Sequence, residues 1–275
     1  MTDGIVLDLP EVEYHSHAAL SSTGARLLLD SPAKFHYAQS HPQAHRDAFD
    51  LGTAVHTKVL GIGHKVITYP PEHLTPSGNA STKAATVEWA EEQRANGLVV
   101  IGAAQAAQVD RMAEAVLAHK TAKAIFEQEG QAEVSLFGTD PETGVECRAR
   151  MDWRGPINAD LKTTSKSASM TEFEKTVVNF SYETQEAHYG DTERFATGVD
   201  EKSFVFIVVE TDPPHLVAVH QLDKVFREMG KAKARRAREI YAECVSSGAW
   251  PGHPEEVQLI SPPTWAIYQH EEKYA

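Results

Sequence analysis

Between Arg148 and Thr164 the chain reads RARMDWRGPINADLKTT, and no other stretch limits the fold as much. Arg154-Gly155-Pro156 is turn chemistry between two strand-like runs, so the segment is expected to be a hairpin. The two-residue period of a strand puts Arg148, Arg150 and Asp152 on one face and Ala149 and Met151 on the other. On the second strand Asp160 and Lys162 share a face, while Ala159 and Leu161 go into the core. Asp is depleted in strands, so nothing in strand design asks for an Asp and a Lys two apart. Two carboxylates and an ammonium can meet on one side of this hairpin. Oxygen ligands of that kind suit a hard cation such as Mg²⁺. A lysine beside them can stabilise or deprotonate a reacting group. Taken alone, an Asp-x-Lys is most often a solvated hairpin with its charges in water, so its company in the chain decides.

The chain has 275 residues and a net charge of −13, with a pI of about 5.5. That balance argues against a general nucleic-acid coat protein. It leaves room for a DNA enzyme whose positive charge is confined to one groove and completed by cations. The two cysteines, Cys147 and Cys244, can form neither a disulfide framework nor a four-cysteine cluster. No apolar stretch has bilayer length, and Met1-Thr2-Asp3-Gly4 has no signal-peptide character. A cytoplasmic protein with reduced thiols and no membrane partner is expected. Without internal repeats or a clear linker, a single domain over 1–275 is expected.

In chain order, Ser21 to Gly24 offers N-cap chemistry for a helix through Leu27, Leu28 and Leu29. Pro32 starts a second, from Ala33 to Gln39. His15, His17, His36, His41 and His45 match no zinc spacing and read as scattered surface histidines. A helix over 50–60 carries Leu51, Val55 and Val59 as its apolar stripe, and small residues 52–54 allow close approach of another element. His56 lies off that stripe; it is either a satisfied half-buried histidine or a metal ligand held over the sheet. Residues 70–81 read as a loop, 83–94 as a helix, and 103–119 as an Ala-rich helix reaching Phe126.

Strand 131–137 brings Glu133 one strand before Asp152, as a further metal ligand or as an exposed Glu on an edge strand. After Lys162, Thr163, Ser165 and Lys166 can contact phosphate or form a plain polar loop. Gln185 and Tyr189 stand four apart on one helix face, where an amide and a hydroxyl can orient a phosphate or a lysine. The apolar run 203–210 suits a strand buried on both faces. A long helix over 223–246 concentrates basic residues, either as a solvated face or as a contact for nucleic acid or another subunit. The tail from Trp250 is expected to wrap the surface.

The order of these pieces is a helix with His56, strands with Glu133, Asp152 and Asp160-x-Lys162, then a helix with Gln185-x-x-x-Tyr189. This resembles the PD-(D/E)XK nuclease superfamily, and more narrowly the RecE (exonuclease VIII) nuclease domain and its phage relatives. The opening from Tyr14 to Gly24, Ser31-Pro32-Ala33 and Leu51 to His56 is similar to that group as well. The resemblance implies an α/β fold: a central mixed β-sheet flanked by helices, after an N-terminal helical segment. It implies a mainly helical part over 1–126, a catalytic sheet over 127–221, and a long basic helix with a tail over 222–275. It implies a Mg²⁺-dependent deoxyribonuclease in which Mn²⁺ can substitute. His56, Asp152, Asp160 and the Leu161 carbonyl would be metal ligands, with Glu133 as a further candidate. Lys162 would position or activate the attacking water, and Gln185 and Tyr189 would support the site. Thr163, Ser165, Lys166, Arg148 and Arg150 are candidate DNA contacts. Asp160 stands where many relatives have Glu, and both occur in the superfamily. The four-cysteine iron–sulfur cluster of some relatives is excluded by the two cysteines.

The expected activity is exonucleolytic, on linear double-stranded DNA, with 5′-to-3′ degradation leaving 3′ single strands for recombination. By the same resemblance the partners are double-stranded DNA, a single-strand annealing protein and further copies of the chain in a ring. Two rival readings stand beside it. One is a structure- or site-specific endonuclease in repair or restriction; the other is a DNA-binding module with an idle metal site.

Overall fold

The computed structural model describes residues 3–41, 47–200 and 202–274, with side chains omitted for 47–49. His45 therefore lies outside the described residues. A short strand β1 (Gly4–Val6) and helix α1 (Glu11–Ser16) precede α2 (Ser22–Asp30). Helix α2 begins where Ser21 Oγ accepts the Gly24 N–H at 3.1 Å, which satisfies one of the amides a helix start leaves free. Ser31 ends α2 and also caps α3 (Pro32–Ser40), with Pro32 in the first turn as the sequence suggests. Next come α4 (Asp47–Leu60), β2 (Val66–Thr68), α5 (Ala84–Ala95) and β3 (Val99–Ile101). Strands β2 and β3 pair in parallel as a small separate ribbon. The Ala-rich stretch forms two helices, α6 (Ala103–Ala118) and α7 (Lys120–Phe126). His119 divides them in extended conformation, and its Nδ1 accepts the Ala122 N–H at 3.3 Å.

The main sheet is built from β4 (Gln131–Thr139), β5 (Glu146–Arg154), β6 (Ile157–Thr164), β7 (Ser203–Glu210) and β8 (Val217–His220), with β1 on its edge. The strand order is β1-β4-β5-β6-β7-β8; β6 and β7 run parallel and the other neighbours antiparallel. The parallel pair is joined by α8 (Met170–Phe180) and α9 (Tyr182–Thr197), as a crossover requires. Strand β1 pairs with Ser135, Leu136 and Phe137, so β4 is not the outermost strand of the sheet, although Glu133 itself lies beyond that pairing. On one face Val55 of α4, Met112 of α6 and Ile125 of α7 pack on Ala159, Leu161, Val205 and Ile207. On the other, Phe173 and Val177 of α8 cover Phe204, Phe206 and Val208, while Tyr189 and Ala196 of α9 cover Val134, Leu136, Ala149 and Met151. The continuous apolar run of β7 is thus buried on both sides. Each fully buried Leu, Ile or Phe contributes roughly 1.5–3 kcal/mol.

Helix α10 (Lys224–Ser247) lies over α9. A Cβ added at Gly230 would stand 2.1 Å from the Glu183 carbonyl oxygen, so only glycine permits this approach. Part of the basic character of α10 is turned inward. Lys233 Nζ is 2.6 Å from Glu183 Oε1, and Arg238 bridges Asp140 at 2.7 Å and Asp191 at 2.9 Å. On its outer side Arg236 pairs with Glu239 and Glu243 of the same helix. Lys233 and Arg238 therefore clamp α10 to the body, while Lys224, Arg235 and Arg236 stay exposed on its outer side. The tail also departs from expectation. Val257, Leu259 and Ile260 are exposed rather than wrapped on the surface, and α11 (Thr264–Tyr274) buries no residue. Pro251, Pro254, Pro262 and Pro263 withhold the amides that would pair such a segment with the sheet. Among the described residues no helix is long and apolar enough to cross a membrane.

Candidate active site

The sheet opens where its two acidic strands meet. Strands β5 and β6 share one paired position among the described residues, Trp153 with Ala159. Beyond it the Leu161 N–H donates to Asp152 Oδ2 at 2.7 Å instead of to a strand carbonyl. A carboxylate thus occupies the gap and satisfies the amide freed by the splay. The same oxygen lies 3.3 Å from His56 Nδ1. Helix α4 reaches this point because it packs tightly on β6, with Gly52 facing Thr163 Oγ1. His56 is therefore not a passive surface residue; its ring closes on Asp152.

Asp160 points to the other face of β6, toward α9. Lys162 Nζ stands 2.5 Å from Asp160 Oδ2. Gln185 Nε2 donates to Asp160 Oδ1 at 2.5 Å, and Gln185 Oε1 accepts from Lys162 Nζ at 3.1 Å. One amide therefore serves both members of the ion pair. The Lys162 ammonium is thus the ion-pair partner of the buried Asp160 Oδ2. The hairpin is no solvated pair: Asp160 is 2% exposed.

Glu133 joins from β4. Ala132 pairs with Trp153 and Val134 with Met151, which sets Glu133 across from Asp152. Its φ is +52°, a left-handed backbone that costs a residue other than glycine energy and here turns its side chain toward the gap. One ligand atom each of His56, Glu133 and Asp152 lies within 4.8 Å of the others. Burial first, and then the Asp152 charge, push the Glu133 carboxyl up to about 8. Burial likewise raises Asp152, to about 6, with Asp160 adding to the rise and His56 opposing it. Burial alone would lower Lys162, but Asp160, with Tyr182 and Asp152 behind it, outweighs this and holds the ammonium charged. The donor set therefore fits a hard divalent cation. The crowded oxygens of Glu133 and Asp152 and the His56 nitrogen gain from positive charge at this point. Asp160, on the opposite face from Asp152 and paired with Lys162, stands outside this cluster rather than meeting Asp152 on one side of the hairpin as the strand period suggests.

A family model for a PDDEXK-like domain of unknown function (DUF3799) matches residues 21–263. The chain belongs to this PDDEXK-like family. No curated protein matches it. Among solved structures, the crystal structure at 2.19 Å of a candidate exonuclease from Eubacterium rectale is similar in fold, with a TM-score of 0.63 and 13% identity. The alignment covers 96% of this chain and 98% of that one. The mixed sheet between helices inferred from sequence is thus the fold of a PDDEXK-like protein.

The remaining candidates are placed unevenly around this PDDEXK-like centre. Tyr189 is set between Phe204 and the β4–β5 core, and burial raises its hydroxyl well above the usual range. Thr163 is half-buried beside α4, while Ser165 and Lys166 are exposed in the loop after β6. Arg148 and Arg150 are used internally. Arg148 is 9% exposed and donates to the His17 carbonyl, and Arg150 donates to the Leu9 carbonyl at 2.7 Å. Both guanidinium groups lie over the Tyr14 ring, at 5.1 and 4.3 Å from its centre. They bind the N-terminal segment to β5, which is a poor position from which to grip DNA. The histidines 15, 17, 36 and 41 do not gather: His36 stacks on Trp250, His41 on Tyr37, and His17 tilts over Phe137.

Sequence reasoning missed the polar burial of α9. Glu183, Gln185, His188, Thr192 and Glu193 are all 4% exposed or less. Glu193 holds Arg154 at 2.7 Å and Lys202 at 3.0 Å, and accepts from Asn158 at 2.8 Å. The turn that closes the β5–β6 hairpin is thereby fixed from the same helix that holds Lys162. The missed signal was the density of polar residues on a helix that also carries Tyr189 and Ala196 to the core, since most polar groups buried in a protein are paired.

Proposed function

We propose that this protein is a divalent-cation-dependent deoxyribonuclease that degrades linear double-stranded DNA from its ends. One observation carries the reading: Lys162, Asp160 and Gln185 are mutually bonded beside the His56, Glu133 and Asp152 cluster. A phosphodiesterase needs charge neutralised at the scissile phosphate and a hydroxide formed near neutral pH, and a bound divalent cation supplies both. His56, Asp152, Asp160, the Leu161 carbonyl and Glu133 would hold it, with Mg²⁺ the natural occupant and Mn²⁺ a substitute.

The chain's own groups do the rest. Lys162 orients the attacking water and neutralises charge on the pentacoordinate phosphorus. Gln185 fixes Lys162 against Asp160, so that the ammonium faces the reacting centre in one rotamer. Tyr189 packs beneath the site and keeps α9 in register with β5. Thr163, Ser165 and Lys166 lie on the segment leaving β6, where they would meet backbone phosphates without reading sequence. The likeness to RecE-type enzymes supports 5′-to-3′ polarity, 3′ single-stranded products for an annealing partner, and a ring of subunits around the duplex.

The test is cleavage in Mg²⁺ of matched linear and closed circular duplexes, with Asp160→Asn as control. Degradation of the linear DNA alone, lost in the variant, is the expected result. Cutting of the circle would replace this reading with an endonuclease. Binding of DNA without turnover in Mg²⁺ or Mn²⁺ would make the site idle.

A further inference from the structure

Lys162 has a third neighbour that the PDDEXK-like pattern does not include. Its ammonium lies 4.6 Å from the centre of the Tyr182 ring and 6.0 Å from that of Phe206. The two rings stack on each other at 5.6 Å and 19°. Phe180 also stacks on Tyr182, at 5.7 Å and 22°. One side of the ammonium is thus lined by aromatic rings, whose negative quadrupole attracts a cation.

The backbone is specifically shaped to put Tyr182 there. Helices α8 and α9 are joined by a single residue, Ser181, with φ +50° and ψ +49°. A left-handed serine is unfavourable by itself and persists only where its surroundings impose it. Arg26 from α2 holds the junction by donating to the Phe180 carbonyl at 2.7 Å. The reversal lets α9 begin directly against Lys162. Tyr182, Gln185 and Tyr189 then follow at i, i+3 and i+7, all on one face. Gln185 and the ring hold the ammonium from two sides, and Asp160 from a third. Asp160 is also a proposed cation ligand; the ring and Gln185 are not shared with a cation.

We infer that Tyr182 is a positioning residue for Lys162, acting through its ring face to hold the ammonium toward the reacting centre. The inference rests on the nuclease reading above and adds a residue to it. The ring attracts the cation whether or not it carries a hydroxyl, so phenylalanine should replace it and leucine should not.

The experiment compares wild type, Tyr182→Phe and Tyr182→Leu for kcat and KM on linear duplex in Mg²⁺. Thermal melting is followed in parallel. Leucine should lower kcat about 3- to 30-fold with KM for DNA little changed. Phenylalanine should restore most of that loss. Lysine side-chain NMR gives a readout independent of activity. The Lys162 ε-methylene protons should show an upfield ring-current shift in wild type and Tyr182→Phe, and lose it in Tyr182→Leu. Loss of the shift with kcat unchanged would overturn the inference, because the contact would be packing only. An equal fall in the Phe and Leu variants would also overturn it, since the hydroxyl would then be the working group. A wild-type protein that cleaves nothing would remove the nuclease reading itself. Active wild type with an unaffected Tyr182→Leu would remove this inference alone.

Discussion

Gln185 donates to Asp160 across 2.5 Å, and both residues are almost fully buried. The same amide accepts from Lys162, so removal of its side chain loosens an acid and a base at once. A hydrogen bond to a charged group contributes about 1.5–3 kcal/mol, so Gln185→Ala should reduce kcat roughly 10- to 100-fold. Lys162→Met and Asp160→Asn should each cost on the order of 10²-fold or more. Single-turnover cleavage of a linear duplex, with circular dichroism to confirm folding, checks all three. Full activity in Lys162→Met would remove its assigned role.

Glu133 and Asp152 would make the proposed cation binding proton-linked. Without a cation Glu133, raised to about 8, holds a proton at pH 7, and Asp152, raised to about 6, does so below neutrality. A ligating carboxylate must be ionised, so binding of Mg²⁺ or Mn²⁺ at pH 7 should release roughly one proton. Titration calorimetry in buffers of different ionisation heat measures this directly. Glu133→Gln should abolish most of the release and weaken binding. The sign for stability follows from the same shift. The protonated Glu133 stabilises the cation-free fold below its ordinary unfolded value, and that contribution is lost as pH rises through about 8.

Much of this centre was legible because strands and helices impose strict periods. Asp160 and Lys162 share a face since they are two apart on β6. Gln185 and Tyr189 share one since they are four apart on α9. The buried run of β7 and the proline start of α3 were equally direct. What could not be read was set by partners distant in the chain. Arg148 and Arg150 looked free for DNA until the N-terminal segment folded over them. Lys233 and Arg238 of α10 looked open until Glu183, Asp140 and Asp191 closed on them. Glu133 was undecided because neither its left-handed backbone nor the presence of β1 outside β4 is encoded locally. Tyr182 went unnoticed because its position depends on a one-residue junction at Ser181 rather than on any period.

His188 should limit acid stability. It is fully buried on α9, with Nε2 3.1 Å from the Arg148 carbonyl. Burial lowers its pKa from 6.5 to about 4. Above pH 6.5 the residue is neutral whether folded or unfolded. Below it the unfolded chain takes a proton the folded chain resists, so stability falls progressively from about pH 6.5 to about 4. A shift of this size corresponds to about 3 kcal/mol. Urea unfolding of wild type and His188→Gln across that range should show a shallower loss in the variant. Parallel slopes would locate the acid sensitivity elsewhere.

Gly230 tests whether α9 is held in place from outside the sheet. A methyl group there would meet the Glu183 carbonyl oxygen at 2.1 Å and its carbon at 2.7 Å. Both are backbone atoms, so no rotamer change relieves the clash. Helix α10 must move off α9, which weakens the half-buried Lys233–Glu183 pair. Alanine is the better helix former by about 1 kcal/mol, so propensity alone predicts stabilisation. Overpacking opposes it by about 1–3 kcal/mol or more and should win here, because the contact is far inside van der Waals distance. Gly230→Ala is therefore expected to lower the melting temperature and, because Tyr182, Gln185 and Tyr189 ride on α9, to lower kcat as well. An exposed glycine of the tail, Gly252, whose added methyl would meet nothing closer than 3.8 Å, serves as the control. Gly252→Ala should leave both quantities unchanged, and equal behaviour of the two variants would show that the α9–α10 contact does not hold the site.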